Sequence, residues 1–252
     1  MKSGILAILG SLVLSASLTS PVWAQAATVD PAATKMLKQM TDYLGSLQSF
    51  SVETQNTLEH VLDSGQRIDE DISVSATISR PDKLQSNRLG DLMNQAIYYD
   101  GKTLTINNQN AKVYATEKAP ATIEEMLDYA RESLGLFIPA SDLVYRNAYS
   151  IMMQDVNSAI VVGKAVINGQ TCNHLAFRRP DVDFQVWVAD AGEPLPCKYV
   201  VTDTSSPEMV STISVLSNWN VKPSVTDSTF SYVPGKGATQ VKFMPLESGA
   251  SK

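Results

Sequence analysis

The sequence predicts an α+β fold, a large antiparallel sheet with helices segregated from it. Three observations carry that expectation. Apolar residues recur at spacings of three and four from Pro31 to Leu47 and again after Thr122, the period of an amphipathic helix. From Ser49 to Thr116 and from Ala159 to Val221 the period falls to two, in segments punctuated by Gly, Pro, Asn and Asp turns. Long runs of strands with helices gathered between them, rather than alternating strand–helix units, belong to antiparallel α+β architectures.

The chain opens on an address. Met1-Lys2 is a short positive start, Gly4 to Leu18 is an unbroken apolar and small-residue run, Ser20-Pro21 breaks it, and Val22-Trp23-Ala24 fits a small-x-small cleavage pattern. Residues 1–24 are therefore expected to be a secretory signal peptide, with cleavage after Ala26 an equal alternative. The run is shorter than the roughly 20 residues a bilayer span needs, and no later stretch approaches that length. A soluble, periplasmic mature chain is expected, with one domain over residues 28–246 and a loose tail at Glu247–Lys252. No linker rich in Pro, Gly or Ser divides it.

In order, Met36, Leu37, Met40, Leu44 and Leu47 form the apolar stripe of the first helix, with Lys35, Lys38 and Asp42 opposite. Phe50, Val52, Thr54, Asn56 and Leu58 share one face of a long strand. After the Ser64-Gly65 turn, Ile68, Ile72, Val74, Ala76 and Ile78 share one face of a second, broken only by Glu70, which is expected near the rim where water reaches it. Arg80-Pro81-Asp82 turns the chain into shorter strands at Lys83–Arg88, Gln95–Tyr99, Lys102–Asn107 and Lys112–Thr116, the middle two joined by an Asp100-Gly101 hairpin signal. Thr122 with Glu125 makes a capping box for a helix lined by Ile123, Met126, Leu127, Ala130 and Leu134 and ended by Gly135. A short helix from Ser141 to Ala148 or slightly beyond comes next. Strands follow at Ala159–Ile167, Gln170–Arg178, Phe184–Ala189, Lys198–Asp203 and Met209–Val221, with a last short one near Thr239–Phe243.

Charge excludes some partners. Lys2 leaves with the signal, so 19 basic residues face 26 acidic ones, a net charge of −7. An acidic chain without a basic patch is repelled by nucleic-acid phosphate and by anionic lipid surfaces; Arg178-Arg179 is isolated and flanked by Asp181 and Asp183. No motif calls for a metal or cofactor. The two histidines, His60 and His174, lie on separate strands without a compact set of carboxylates or thiolates around either. No Gly-x-Ser-x-Gly elbow and no Gly-rich phosphate loop occur. Cys172 and His174 share a strand face but stand about 7 Å apart along it, beyond direct proton transfer. Asp181-Val182-Asp183 offers two carboxylates where calcium needs six or more oxygens. The chain is not expected to be an enzyme.

Cys172 and Cys197 are the only cysteines. No cysteine stands at the cleavage site for lipid attachment, and an oxidising compartment favours pairing. Turn positions put both thiols near Asp190, on strands flanking a middle one. Across an intact strand they would be about 9.5 Å apart, too far for a disulfide; where the middle strand stops they can converge. A Cys172–Cys197 disulfide is the expectation on balance, with unpaired thiols the alternative.

The long strands and the helices share an apolar inventory that includes Met36, Met40, Met126, Met152 and Met153, and methionine adapts to irregular or changing contents. It fits a plain packed core or a curved sheet enclosing a cavity for an acyl chain; the pattern does not separate the two. Candidate interior residues are Phe50, Val52, Ile72, Val74, Met126, Leu127, Phe184 and Val186.

The segment Cys172-Asn173-His174-Leu175-Ala176-Phe177-Arg178, then Asp181 to Val188, then Pro194-Leu195-Pro196, resembles a signature of a family of predicted periplasmic proteins. Tyr98-Tyr99-Asp100-Gly101-Lys102 and Phe230-Ser231-Tyr232-Val233-Pro234, with Gly237-Ala238 and Val241, resemble further parts of it. That family's fold is similar to the lipoprotein carriers LolA and LolB. The resemblance implies a curved, half-open antiparallel barrel enclosing or packed on a few helices, able to hold acyl chains. No lipoprotein-handling residue of the carriers maps onto this chain. The function expected is a binding or carrier protein for a lipid, a lipoprotein acyl chain or another hydrophobic small molecule. An envelope protein-interaction or sensor module on the same fold is the alternative, with another envelope protein as partner.

Overall fold

The computed structural model describes residues 28–243. The expected signal segment and the expected tail at 247–252 lie outside them. Asp30 opens helix α1 (Pro31–Ser46) by accepting the Ala32 amide, with Pro31 just inside the start. Strands β1 (Ser49–Val61) and β2 (Arg67–Ser79) form the long hairpin, followed by β3 (Lys83–Gly90), β4 (Asn94–Tyr99), β5 (Thr103–Asn108) and β6 (Val113–Lys118). Helices α2 (Ile123–Leu134) and α3 (Ala148–Met153) then precede β7 (Ser158–Ile167), β8 (Gln170–Arg178), β9 (Val182–Ala189), β10 (Pro196–Asp203) and β11 (Ser211–Asn220). The short β12 (Thr239–Val241) comes last.

All twelve strands join one sheet in the order β12-β6-β5-β4-β3-β2-β1-β11-β10-β9-β8-β7. Every pairing between these strands is antiparallel except β12 on β6, and Val29 adds an isolated parallel bridge to Ala159 at the β7 edge. Two meanders, β1 to β6 and β7 to β11, therefore meet at a single seam, β1 against β11, where Thr54 faces Leu216 and Asn56 faces Ser214. The ends β12 and β7 do not pair with each other, so the sheet is open rather than closed.

The helices and the inner sheet face share one apolar core. Leu37, Met40 and Leu44 of α1 are fully buried against the β7–β9 half, which contributes Phe177, Phe184, Val186 and Val188. Phe177 and Phe184 stack across β8 and β9 with centroids 4.7 Å apart. Alternation on β1 holds as read: Phe50, Val52, Thr54 and Asn56 point inward. On β2 it holds only from Ile72 onward. Ile68 is 40% exposed, because the hairpin runs on past the core. Beyond β11 the chain returns across the sheet's first half, where Tyr232 packs between Tyr98 and Tyr114 at 5.4 and 5.0 Å and donates to Asn107.

Three local readings are corrected. The helix expected over Ser141–Ala148 is a 3-10 turn at Ser141–Val144 and a separate α3. Tyr145 between them is extended because its ring is buried and its hydroxyl donates to Asp128 on α2, so tertiary contact overrides local propensity. The β4–β5 loop is Asp100–Lys102, one residue longer than the hairpin signal implied. Asp100 spends its carboxylate on the Lys102 and Thr103 amides while Gly101 supplies the positive φ of 89°. Glu70, expected within reach of water, has a side chain only 12% exposed.

Candidate apolar cavity between the sheet and the helical insert

Thr122 caps α2 by accepting the Glu125 amide at 3.2 Å, and Gly135 ends it in the left-handed region at φ 64°. The next segment, Leu136 to Val144, packs Leu136, Ile138, Ala140, Leu143 and Val144 against the core while Phe137 stays exposed. Arg80 fixes its far end. The Arg80 side chain is fully buried; it donates to Leu47 O and Val144 O and pairs with Glu124 at 3.3 Å, tying the end of α1, the insert and α2 together. Burial pulls the Arg80 guanidinium below its usual range, and Glu124 opposes that. Tyr145 ties the segment back to α2, its phenol pushed up to about 12 by burial and by the Asp128 carboxylate it meets.

Beneath this segment lies a cavity of ≈ 70 Å³. Its walls are inward side chains of β1, β2, β3 and β11, among them Phe50, Val52, Val74 and Leu216, roofed by Leu127 and Ile138. A second, more polar cleft of ≈ 300 Å³ lies on the other side of the same segment, lined by Phe137, Arg131, Asp142, Tyr199 and Ser214. Leu127, Ile138, Ala140 and Ser141 form walls of both, so a single stretch of backbone divides them. The apolar cavity alone is smaller than a typical small-molecule site. With the cleft it reaches the lower end of the roughly 300–1,000 Å³ span of small-molecule sites.

The seam supplies buried polar groups that are satisfied among themselves. Asn56 donates to Thr54 Oγ1 at 2.7 Å and to Ile72 O at 3.1 Å, and accepts from Ser214 at 2.7 Å. In the cleft, Tyr199 donates to Asp142 at 3.2 Å, and burial, reinforced by that carboxylate, drives its phenol well above the ordinary range. Arg88 is different. It lines the apolar cavity and is 6% exposed, its Nη2 donates to Phe137 O at 3.2 Å, and its Nε has no partner among the described residues.

Of the residues singled out from sequence, Phe50, Val52, Val74 and Leu127 stand in the cavity wall. Ile72, Met126, Phe184 and Val186 are buried in packed core and line none of the cavities described. Sequence reasoning passed over Arg88 and the Ile138–Ser141 roof. The signal for Arg88 was present: Leu84, Ser86 and Arg88 alternate, so an inward Leu84 puts a cation on the core face. The roof had no comparable signal, since its position follows from the Arg80 and Tyr145 contacts.

On the outer face, Cys172 and Cys197 are joined by a disulfide, with Cα atoms 6.8 Å apart. Cys172 faces Ala189, the last residue of β9, and a bulge between Pro196 and Lys198 makes Cys197 the extra residue of its strand. Without the bulge Cys197 would point inward, two positions before Tyr199. With it, the side chain joins Cys172, Trp187 and Ala189 in a small outer cluster. His174 stacks on Trp187 at 3.9 Å and bonds Gln185 at 2.9 Å, while the other histidine, His60, meets Glu70 at 3.3 Å. Asp183 accepts two bonds from Arg178 at 2.8 and 2.6 Å. Among the described residues no group of three or more His, Cys, Asp or Glu side chains is placed to hold a metal ion, and no helix is long and apolar enough to cross a membrane.

Residues 33–244 match the family described as predicted periplasmic protein (DUF2092). The chain belongs to this periplasmic family. No curated protein matches it. Among solved structures, this periplasmic protein is similar to LprF from Mycobacterium bovis, at 13% identity and a TM-score of 0.50, covering 79% of this chain and 98% of that one. It also matches the lipoprotein LppX of Mycobacterium tuberculosis, at 15% identity and a TM-score of 0.46, over 78% of this chain and 100% of that one. A LolA superfamily protein from Nitrosomonas europaea matches at 12% identity and a TM-score of 0.39, over 79% and 97%. At these identities the likeness to LprF concerns the fold alone.

Proposed function

We propose that this member of the family is a non-enzymatic periplasmic binding or carrier protein whose ligand is a lipid, a lipoprotein acyl chain or another hydrophobic molecule, held between the sheet and the α2–α3 insert. The observation that supports it is the apolar cavity roofed by Leu127 and Ile138, continuous in its walls with a larger cleft. A long acyl chain exceeds the apolar cavity alone, so binding entails displacement of the dividing segment, Ile138 to Ser141. That segment is tied mainly at its ends, by Arg88 on Phe137 and by Arg80 on Val144. The fold shared with LprF supports the architecture and not the ligand.

The test is direct. Protein taken natively from the periplasm is extracted and analysed by mass spectrometry, and the stripped protein is titrated with the apolar dye N-phenyl-1-naphthylamine. The reading expects a stoichiometric lipid and saturable dye binding that Ala76→Phe, which fills the cavity, weakens at least ten-fold. Protein with no extractable lipid and no saturable binding would sink it. A protein-interaction module is the second reading, favoured by the β7 edge, where Val162 and Val166 are 51% and 68% exposed. A partner cross-linked at β7, together with a dye-negative interior, is the outcome that reading expects.

A further inference from the structure

The carrier reading leaves one group in the cavity unexplained. Arg88 projects inward from β3 beside Val74 of β2, and the apolar walls run away from it through Ala76, Ile78 and Leu84 toward Phe50. A guanidinium carries five N–H donors and stays charged. Here it is 6% exposed, gives one hydrogen bond to a neutral carbonyl, Phe137 O, and leaves Nε bare. Burying such a cation without a paired anion is costly. Its nearest acidic influence is Glu70, which favours the charged form while burial opposes it. Yet Glu70 makes no ion pair with Arg88: its Oε2 meets His60 at 3.3 Å, and its Oε1 is itself buried without a partner. The cavity thus has an apolar body and one end where a buried cation is only partly compensated.

We infer that Arg88 anchors the head group of the ligand, and that the ligand is an amphiphile whose acyl chain ends in an oxyanion, a carboxylate or a phosphate. An oxyanion oxygen on Nε gives that buried donor its missing acceptor and supplies the countercharge that Glu70 gives only from a distance. The chain then extends along the Val74–Phe50 wall beneath Leu127 and Ile138. A neutral ester or alcohol makes the apolar contacts but leaves the cation uncompensated, so the site discriminates by head-group charge. Glu70 acts against the anion, and its removal strengthens the preference.

This inference rests on the carrier reading, and the experiment separates the two. N-phenyl-1-naphthylamine, which is neutral, is bound to the stripped full-length mature protein and displaced by oleate, by oleoyl lysophosphatidate or by methyl oleate. The wild type is expected to release dye to one or both anions at about ten-fold lower concentration than to methyl oleate, the scale of one charge-assisted hydrogen bond. Preference for oleate assigns a carboxylate head, and preference for lysophosphatidate alone a phosphate. Arg88→Gln is expected to erase the preference for the anions over methyl oleate, and Glu70→Gln to widen it. Equal displacement by all three ligands in the wild type overturns the inference and leaves the carrier reading intact. A preference that survives in Arg88→Gln also overturns it. Absence of dye binding overturns both. The wild-type comparison and Glu70→Gln keep the test decisive should Arg88→Gln fail to fold.

Discussion

Single side chains show how far local chemistry is set by neighbours that a linear reading does not see. Asp100 was legible as a turn residue, but its carboxylate also accepts the Thr103 and Lys102 amides and the Thr103 hydroxyl. Partial burial acts to raise its carboxyl, and those bonds outweigh burial and hold it below the usual range. A group depressed in the folded state stabilises above its unfolded pKa and loses that contribution as pH falls through its folded value. Asp100→Asn is therefore expected to be less stable than wild type at pH 7 in urea titrations, with the gap closing progressively below about pH 4, where the unfolded carboxyl begins to protonate. A gap that stays constant down to pH 2 would contradict this account. Arg88 is the counterpart: its inward placement followed from strand alternation, whereas its lack of a partner depends on where Phe137 and Glu70 fall in space.

At the scale of elements, what the chain encodes locally came through and what it encodes by contact did not. Periodicity placed α1 and the long hairpin within a residue or two, and Thr122 and Gly135 bounded α2, because caps of this kind act on adjacent backbone. The insert after α2 was misread as one helix because Tyr145 answers to Asp128 and Arg80 to Val144, both distant in sequence. The same contacts make Arg80 the fastening of the insert. Arg80→Ala leaves two carbonyls and the Glu124 carboxylate without their buried partner, and is expected to cost about 3 kcal/mol. Hydrogen exchange should show the loss concentrated in residues 123–153, with β7–β9 little changed; a uniform loss would contradict the fastening role. Thr122→Ala, which removes only the cap, is expected to cost about 1 kcal/mol in the same assay.

For the whole molecule, the sequence reading of an α+β chain built on a large antiparallel sheet matches the twelve-stranded sheet, whose end strands do not pair to close a barrel, and the family match agrees with the resemblance read from residues 172–196. The cysteine question shows why geometry at this scale resists linear reading. A spacing of two strands argued against a bond, and one bulged residue at Cys197 reversed that by turning the side chain outward and shortening the gap. The bond closes a loop of 25 residues, worth about 3–3.5 kcal/mol in the chain-entropy account. The double variant Cys172→Ser, Cys197→Ser should thus melt about 6–14 °C lower at the 2–4 °C per kcal/mol expected for a chain of this size. An unchanged midpoint by calorimetry would show that the bond does not stabilise the fold.

The β1–β11 seam carries a consequence for how the molecule comes into being. Asn56 and Ser214, which meet there, stand 158 residues apart, and among the described residues that junction is the only strand pairing between the two meanders. Synthesis runs from the N-terminus, so β1 emerges early and waits, its inner edge unmatched, until nearly the whole chain has followed. Closure of so distant a pair is intrinsically slow, and an unmatched strand is the surface on which incomplete chains aggregate. On that waiting strand Thr54 and Asn56 put polar side chains where the inward face would otherwise be a continuous apolar run.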